Sequence, residues 1–99
     1  MISVLPSIDD IRATVVPVLK KYGIERAGLF GSFADGTMDE ESDIDILVHT
    51  PDEMSLFEYI ELKDALTLVL DRNVDLVQYE GLRERIKNQV LDQEIRFYG

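Results

Sequence analysis

Cysteine and tryptophan are absent from the chain, proline occurs three times, and basic residues are scarce, with 10 Lys and Arg against 20 Asp and Glu and a net charge of −10. Without cysteine there is neither a disulfide framework nor a thiolate metal site, which fits a cytoplasmic protein. The missing basic stripe argues against direct nucleic-acid binding, because nothing is there to displace counterions from phosphates. Only Arg83, Arg85, Lys87 and Arg96 give the tail a slight positive lean. No apolar run approaches the ~20 residues that cross a bilayer, and no basic segment leads into an apolar core as in a signal peptide. A phosphate-bearing substrate would therefore be held by bound cations or backbone dipoles. The acidity itself keeps a small protein soluble and also suits a basic protein partner.

What is present is a foldable pattern. A length of 99 residues with 45% apolar content makes one domain spanning 1–99, without repeats, linker or second lobe. Residues 7 to about 22 read as a helix, opened by Ser7 and Asp10 at capping-box spacing and closed by Gly23. Pro17 is expected to bend it. Residues 26–30 form a short strand ending at Gly31-Ser32, and Ser32 is placed to cap a helical turn that closes at Gly36. A polar acidic loop leads to the strand 43–48, DIDILV. A second capping box, Ser55 with Glu58, starts a helix reaching 70 or 71; residues 73–79, NVDLVQY, form a third strand. Gly81 introduces a last helix with Leu82, Ile86, Val90 and Ile95 facing inward. The order α-β-α-β-α-β-α predicts a small α/β sandwich, a short mixed sheet of three to four strands packed against helices. Pattern alone leaves open which strands run parallel.

Asp43 and Asp45 sit two apart on a strand and so project from one face, with Ile44 turned to the other. Two such carboxylates repel each other, and a divalent cation removes the conflict. Magnesium takes one or two carboxylates, water and substrate phosphates, the ligand set on offer here. Asp75, between Val74 and Leu76, supplies a third acid if its strand lies beside the second. Gly31 permits close backbone approach to an anion, and Ser32 offers a hydroxyl and aimed N–H groups at a helix start. Singly, each feature has an ordinary structural explanation: a turn, a solvated edge acid. Together they suit metal-assisted phosphoryl or nucleotidyl transfer.

With Gly31-Ser32, ten residues, and then Asp43-Ile44-Asp45 in the run SDIDILV, followed by NVDLV with Asp75, the sequence resembles the minimal nucleotidyltransferases of the polymerase-β-like superfamily. The resemblance spans the whole chain. It implies that Asp43, Asp45 and Asp75 hold two Mg2+ ions, with Asp75 beside the attacking hydroxyl and a candidate acceptor of its proton. It implies that Ser32 and the Gly31 backbone hold the terminal phosphates of ATP. It further implies AMP transfer to a hydroxyl, as in antitoxins that adenylylate a tyrosine of a HEPN-domain ribonuclease toxin. One departure stands out: the family's usual arginine before the second glycine is Asp35 in GSFADG, bringing a like charge toward the triphosphate.

Asp35 keeps an alternative open, a weakly active or inactive module that neutralises its partner by binding alone. A small-molecule nucleotidyltransferase ranks last, because such relatives carry an additional helical domain. His49 and the run Asp39-Glu40-Glu41 read as solvent-facing, and Tyr79 and Tyr98 as packing at element ends. Apolar helix faces near the surface of so small a fold make an oligomer plausible.

Overall fold

The computed structural model describes residues 6–31, 36, 39, 41–82 and 84–99. Helix α1 (Ile8–Lys21) begins where its capping box directs. The Ser7 hydroxyl accepts from the Asp10 N–H at 3.0 Å, and the Asp10 carboxylate accepts from the Ser7 N–H at 3.1 Å. Two otherwise unsatisfied donors of the first turn are thereby paired. Pro17 lies inside the helix, which runs on to Lys21. Gly23, at φ +74°, takes the left-handed conformation that ends it. Strand β1 (Arg26–Phe30) follows, then β2 (Ile44–His49). Helix α2 (Leu56–Leu70) has the second capping box, with Ser55 and Glu58 bonded reciprocally. Strand β3 (Val74–Gln78), a 3-10 turn (Tyr79–Gly81), helix α3 (Glu84–Gln93) and strand β4 (Ile95–Tyr98) complete the order.

Two sequence expectations need correcting. The last helix stops at Gln93, and Ile95 lies in a fourth strand rather than on the helix; Leu82 precedes the helix. An apolar residue at helical spacing satisfied the helix pattern, but hydrogen bonding to β1 decides its state. The Ser32 turn falls outside the described residues, Gly36 excepted, as do Asp35 and Glu40.

The sheet order is β3-β2-β1-β4. β1 pairs antiparallel with β2 and β4, whereas β2 and β3 run parallel. A parallel neighbour needs a crossover, and α2 is that crossover. Ala27 and Leu29 of β1, Ile44, Ile46 and Val48 of β2, and Val74 and Leu76 of β3 turn to one face. There they meet Ile11, Val15 and Leu19 of α1 and Leu62 and Leu66 of α2 in the core. By strand alternation Arg26, Gly28, Asp45, Leu47 and Asp75 belong to the opposite face. The outer surface of α2 leaves Leu56, Phe57, Ile60 and Leu68 exposed.

Candidate active site

The parity argument for the acids holds in three dimensions. Ile44 is fully buried in the core, Asp45 is half-buried on the other face, and Asp43, just ahead of β2, is exposed beside it. Asp75 is the direct parallel partner of Asp45. Neighbouring strands lie about 4.8 Å apart, so the two carboxylates leave the sheet side by side. The third acid therefore does come from the adjacent strand.

The electrostatics follow from this crowding. The carboxyl of Asp45 is pushed up to about 6, first by burial and then by the charges of Asp75 and Asp43. Each effect disfavours the anion. Tyr59, whose hydroxyl donates to the Leu76 carbonyl at 2.6 Å, is raised by burial and by Asp75. It ties α2 to the strand that carries the third acid.

Gly31 stands against this group. It follows Phe30, which pairs with Asp45, and it has φ +72°. A Cβ built there would overlap the Asp45 carboxylate, with its Cγ only 3.1 Å away. Both the backbone conformation and the space demand glycine. The Gly-Ser turn and the acidic strand are thus in contact at Gly31, whereas Ser32 lies outside the described residues.

A magnesium ion fits this donor set. Two adjacent carboxylates, one with its anion disfavoured by burial and by its neighbours, and a third just ahead of β2 favour a hard cation completed by water and phosphate oxygens. Among the described residues no group of three His, Cys, Asp or Glu side chains is arranged to hold a metal ion by itself, so a cation here would need water and phosphate oxygens to complete its shell.

The segment before Asp43 carries contacts that composition did not disclose. Asp39 N–H donates to Ser42 Oγ at 2.8 Å, Glu41 N–H to Asp39 Oδ1 at 2.9 Å, and Ser42 N–H to the Asp39 carbonyl at 3.2 Å. Arg72 donates to the carbonyls of Asp39 and Ser42 at 3.4 and 3.2 Å. Asp39 is exposed, as expected, but it also organises a turn. The Asp-x-x-Ser spacing was the available signal, since it favours side-chain bonds to nearby backbone.

At the other end of this face, Tyr79 is buried and donates to Glu94. Arg26 lies 4.2 Å from the Tyr79 ring centroid and 3.9 Å from Glu94. Burial and then the Glu94 bond raise the Tyr79 hydroxyl well above its ordinary range. Tyr98 packs half-buried against the core, and His49 is exposed and paired with Glu80. All three act in packing or at the surface, away from the acids.

A mixed sheet bearing acids on adjacent strands, with a glycine turn against them, defines a nucleotidyltransferase. The sequence profile of the family "Polymerase beta, Nucleotidyltransferase" matches residues 13–99. The chain belongs to this family, as an MntA-like minimal nucleotidyltransferase. It is 37% identical over 76 residues to protein adenylyltransferase MntA of Thermococcus cleftensis, covering 77% of each chain. Its fold matches that in a crystal structure of a toxin–antitoxin with AMP-PNP at TM-score 0.77, with 30% identity over 89% of this chain and 73% of that one. A structure of the tri-AMPylated Shewanella oneidensis HEPN toxin in complex with MNT antitoxin matches at 0.69, with 26% identity over 90% and 70%. Among the described residues no helix is long and apolar enough to cross a membrane.

Proposed function

We propose that this nucleotidyltransferase transfers AMP from ATP to a tyrosine hydroxyl of a HEPN-domain toxin, in the cytoplasm, and so serves as its antitoxin. The observation that carries the reading is the meeting of Gly31, Asp45 and Asp75 on one sheet face. The relatives named as a protein adenylyltransferase and as the antitoxin bound to an AMPylated HEPN toxin support it. Asp43, Asp45 and Asp75 would hold magnesium, two ions being expected. When bound, magnesium neutralises the triphosphate and stabilises the entering and leaving oxygens.

The residues of the chain do the rest. Gly31 lets phosphate oxygens approach the backbone beside Asp45, and Ser32 is assigned the terminal phosphates. Asp75 accepts the proton of the attacking tyrosine as its oxygen bonds to the α-phosphorus. The bridging α–β P–O bond breaks, and pyrophosphate leaves with that electron pair. The partner brings the acceptor, and its docking supplies orientation and excludes water.

Incubation with a HEPN partner and Mg-ATP should add AMP mass to the partner. Asp43→Ala and Asp45→Ala should each reduce the gain about 100-fold or more, a loss of a few kcal/mol in transition-state stabilisation. A mass gain surviving both changes overturns the site. Inhibition of the partner that needs no ATP and persists in Asp43→Ala would instead mark a masking module.

A further inference from the structure

The acids of the site are reached through a turn that is itself held from outside. Asp39, Glu41 and Ser42 share a knot of local bonds in which Asp39 Oδ1 accepts from the Glu41 N–H and the Ser42 hydroxyl, at 2.9 and 3.1 Å. Such a turn fixes its own shape but not its position relative to the sheet. Position comes from two contacts with the segment between α2 and β3. Ile44 N–H donates to the Asn73 carbonyl at 2.9 Å, starting the parallel ladder. Next to it, one Arg72 guanidinium nitrogen donates to the carbonyls of both Asp39 and Ser42. Arg72 thus grips the first and last residues of the turn, and Asp43 is the next residue. Three positions after Arg72, inside β3, comes Asp75.

We propose that Arg72 is a positioning residue for the acidic site: by clamping the Asp39–Ser42 turn to the start of β3, it sets where Asp43 and Asp45 stand relative to Asp75. The clamp acts through backbone carbonyls, so it controls geometry rather than acting on substrate. Its charge also strengthens these bonds over those of a neutral donor. Without it, β2 keeps its ladder, but the turn is held by its own bonds alone, which then open more often, and Asp43, exposed and ahead of the strand, loses its fixed position. A cation held by these carboxylates then binds less tightly. Groups that orient metal ligands without touching the metal matter on the scale of about 10- to 100-fold in affinity.

The test uses Mn2+ as probe on the full chain, without nucleotide, together with amide hydrogen exchange and thermal unfolding. Arg72→Met should weaken Mn2+ binding about tenfold or more and accelerate exchange at Ser42 and Asp43. It should leave exchange in α1 and β1 unchanged. Arg72→Lys, which keeps a charged donor on a long stem, should recover part of the affinity. Native Mn2+ affinity in a folded Arg72→Met chain overturns the proposal, and so does exchange accelerated uniformly across the sheet. If Arg72→Met does not fold, Ser42→Ala replaces it under the same criteria, since it loosens the same turn from within. The inference rests on reading Asp43, Asp45 and Asp75 as metal ligands, and Asp45→Ala separates the two. Undiminished Mn2+ binding in Asp45→Ala sinks that reading, whereas loss there with none in Arg72→Met sinks only the clamp.

Discussion

The proposed function makes Asp45 a metal ligand at a place where its own anion is disfavoured. Its pKa in the folded chain is about 6, against 3.8 for the free side chain. The native state therefore binds a proton more tightly than the unfolded chain. The stability this contributes is complete below about pH 4 and is lost as pH rises through about 6. In metal-free buffer, the melting temperature of the native chain should fall over that interval, and Asp45→Asn should flatten the fall and melt higher at pH 8. AMP transfer should show the opposite trend, declining as pH falls and Asp45 is protonated, with its midpoint moved below that of the metal-free chain because a bound cation favours the anion. Gly31 makes a second prediction at this scale. Gly31→Ala imposes a left-handed conformation on alanine, costing about 1–2 kcal/mol, and presses a methyl group into the Asp45 carboxylate. A loss of about 100-fold in kcat/KM for Mg-ATP is expected, the effect of displacing a reacting group by about 1 Å. The acids were legible because side-chain alternation along a strand is local. The contact between Gly31 and Asp45 was not, because it depends on how two strands pair.

The helices show the same division between local and long-range determinants. Both capping boxes stood in the sequence, since each needs only residues three apart, and both are formed. The end of the last helix was missed at Ile95, where pairing with Leu29 outweighs helical periodicity. The Glu94 cluster joins β1, the 3-10 turn and the start of β4, three separate places in the chain. The Glu94 side chain is only 5% exposed, accepts from Tyr79, and occupies the space that a Cβ on Gly28 would need. Arg26 and Arg96 flank it at 3.9 and 4.0 Å. Glu94→Ala should destabilise the fold by about 2–3 kcal/mol, less than a fully buried pair because both arginines reach solvent. That corresponds to a fall of about 10 °C or more in melting temperature for a domain of this size. An unchanged melting temperature would show that the cluster contributes nothing net. None of this was readable from spacing, since Arg26, Gly28, Tyr79 and Glu94 share no motif.

The whole molecule is strongly acidic, at −10, and gathers three of its acids at one end of its sheet. Added Mg2+ should raise the melting temperature with its concentration, as any ligand specific to the native state does. Asp45→Ala should abolish the rise, and a rise that survives would place the ion elsewhere. The fold class and element order were largely open to sequence reasoning, and membership of the family followed from one spaced motif. Strand direction was not, and it is strand direction that assembles the site. β1 and β2, joined through residues 31–43, pair antiparallel, but β3 joins β2 only in parallel, after α2 has carried the chain back across the sheet. Contacts so distant in sequence form late, after the entropy of closing the intervening segment has been spent. While the chain is being synthesised, the pair Asp43 and Asp45 emerges well before Asp75 exists beside it. On the proposed function, an unclosed crossover would leave the acidic pair without its third member, so the site would be complete only once β3 has paired with β2.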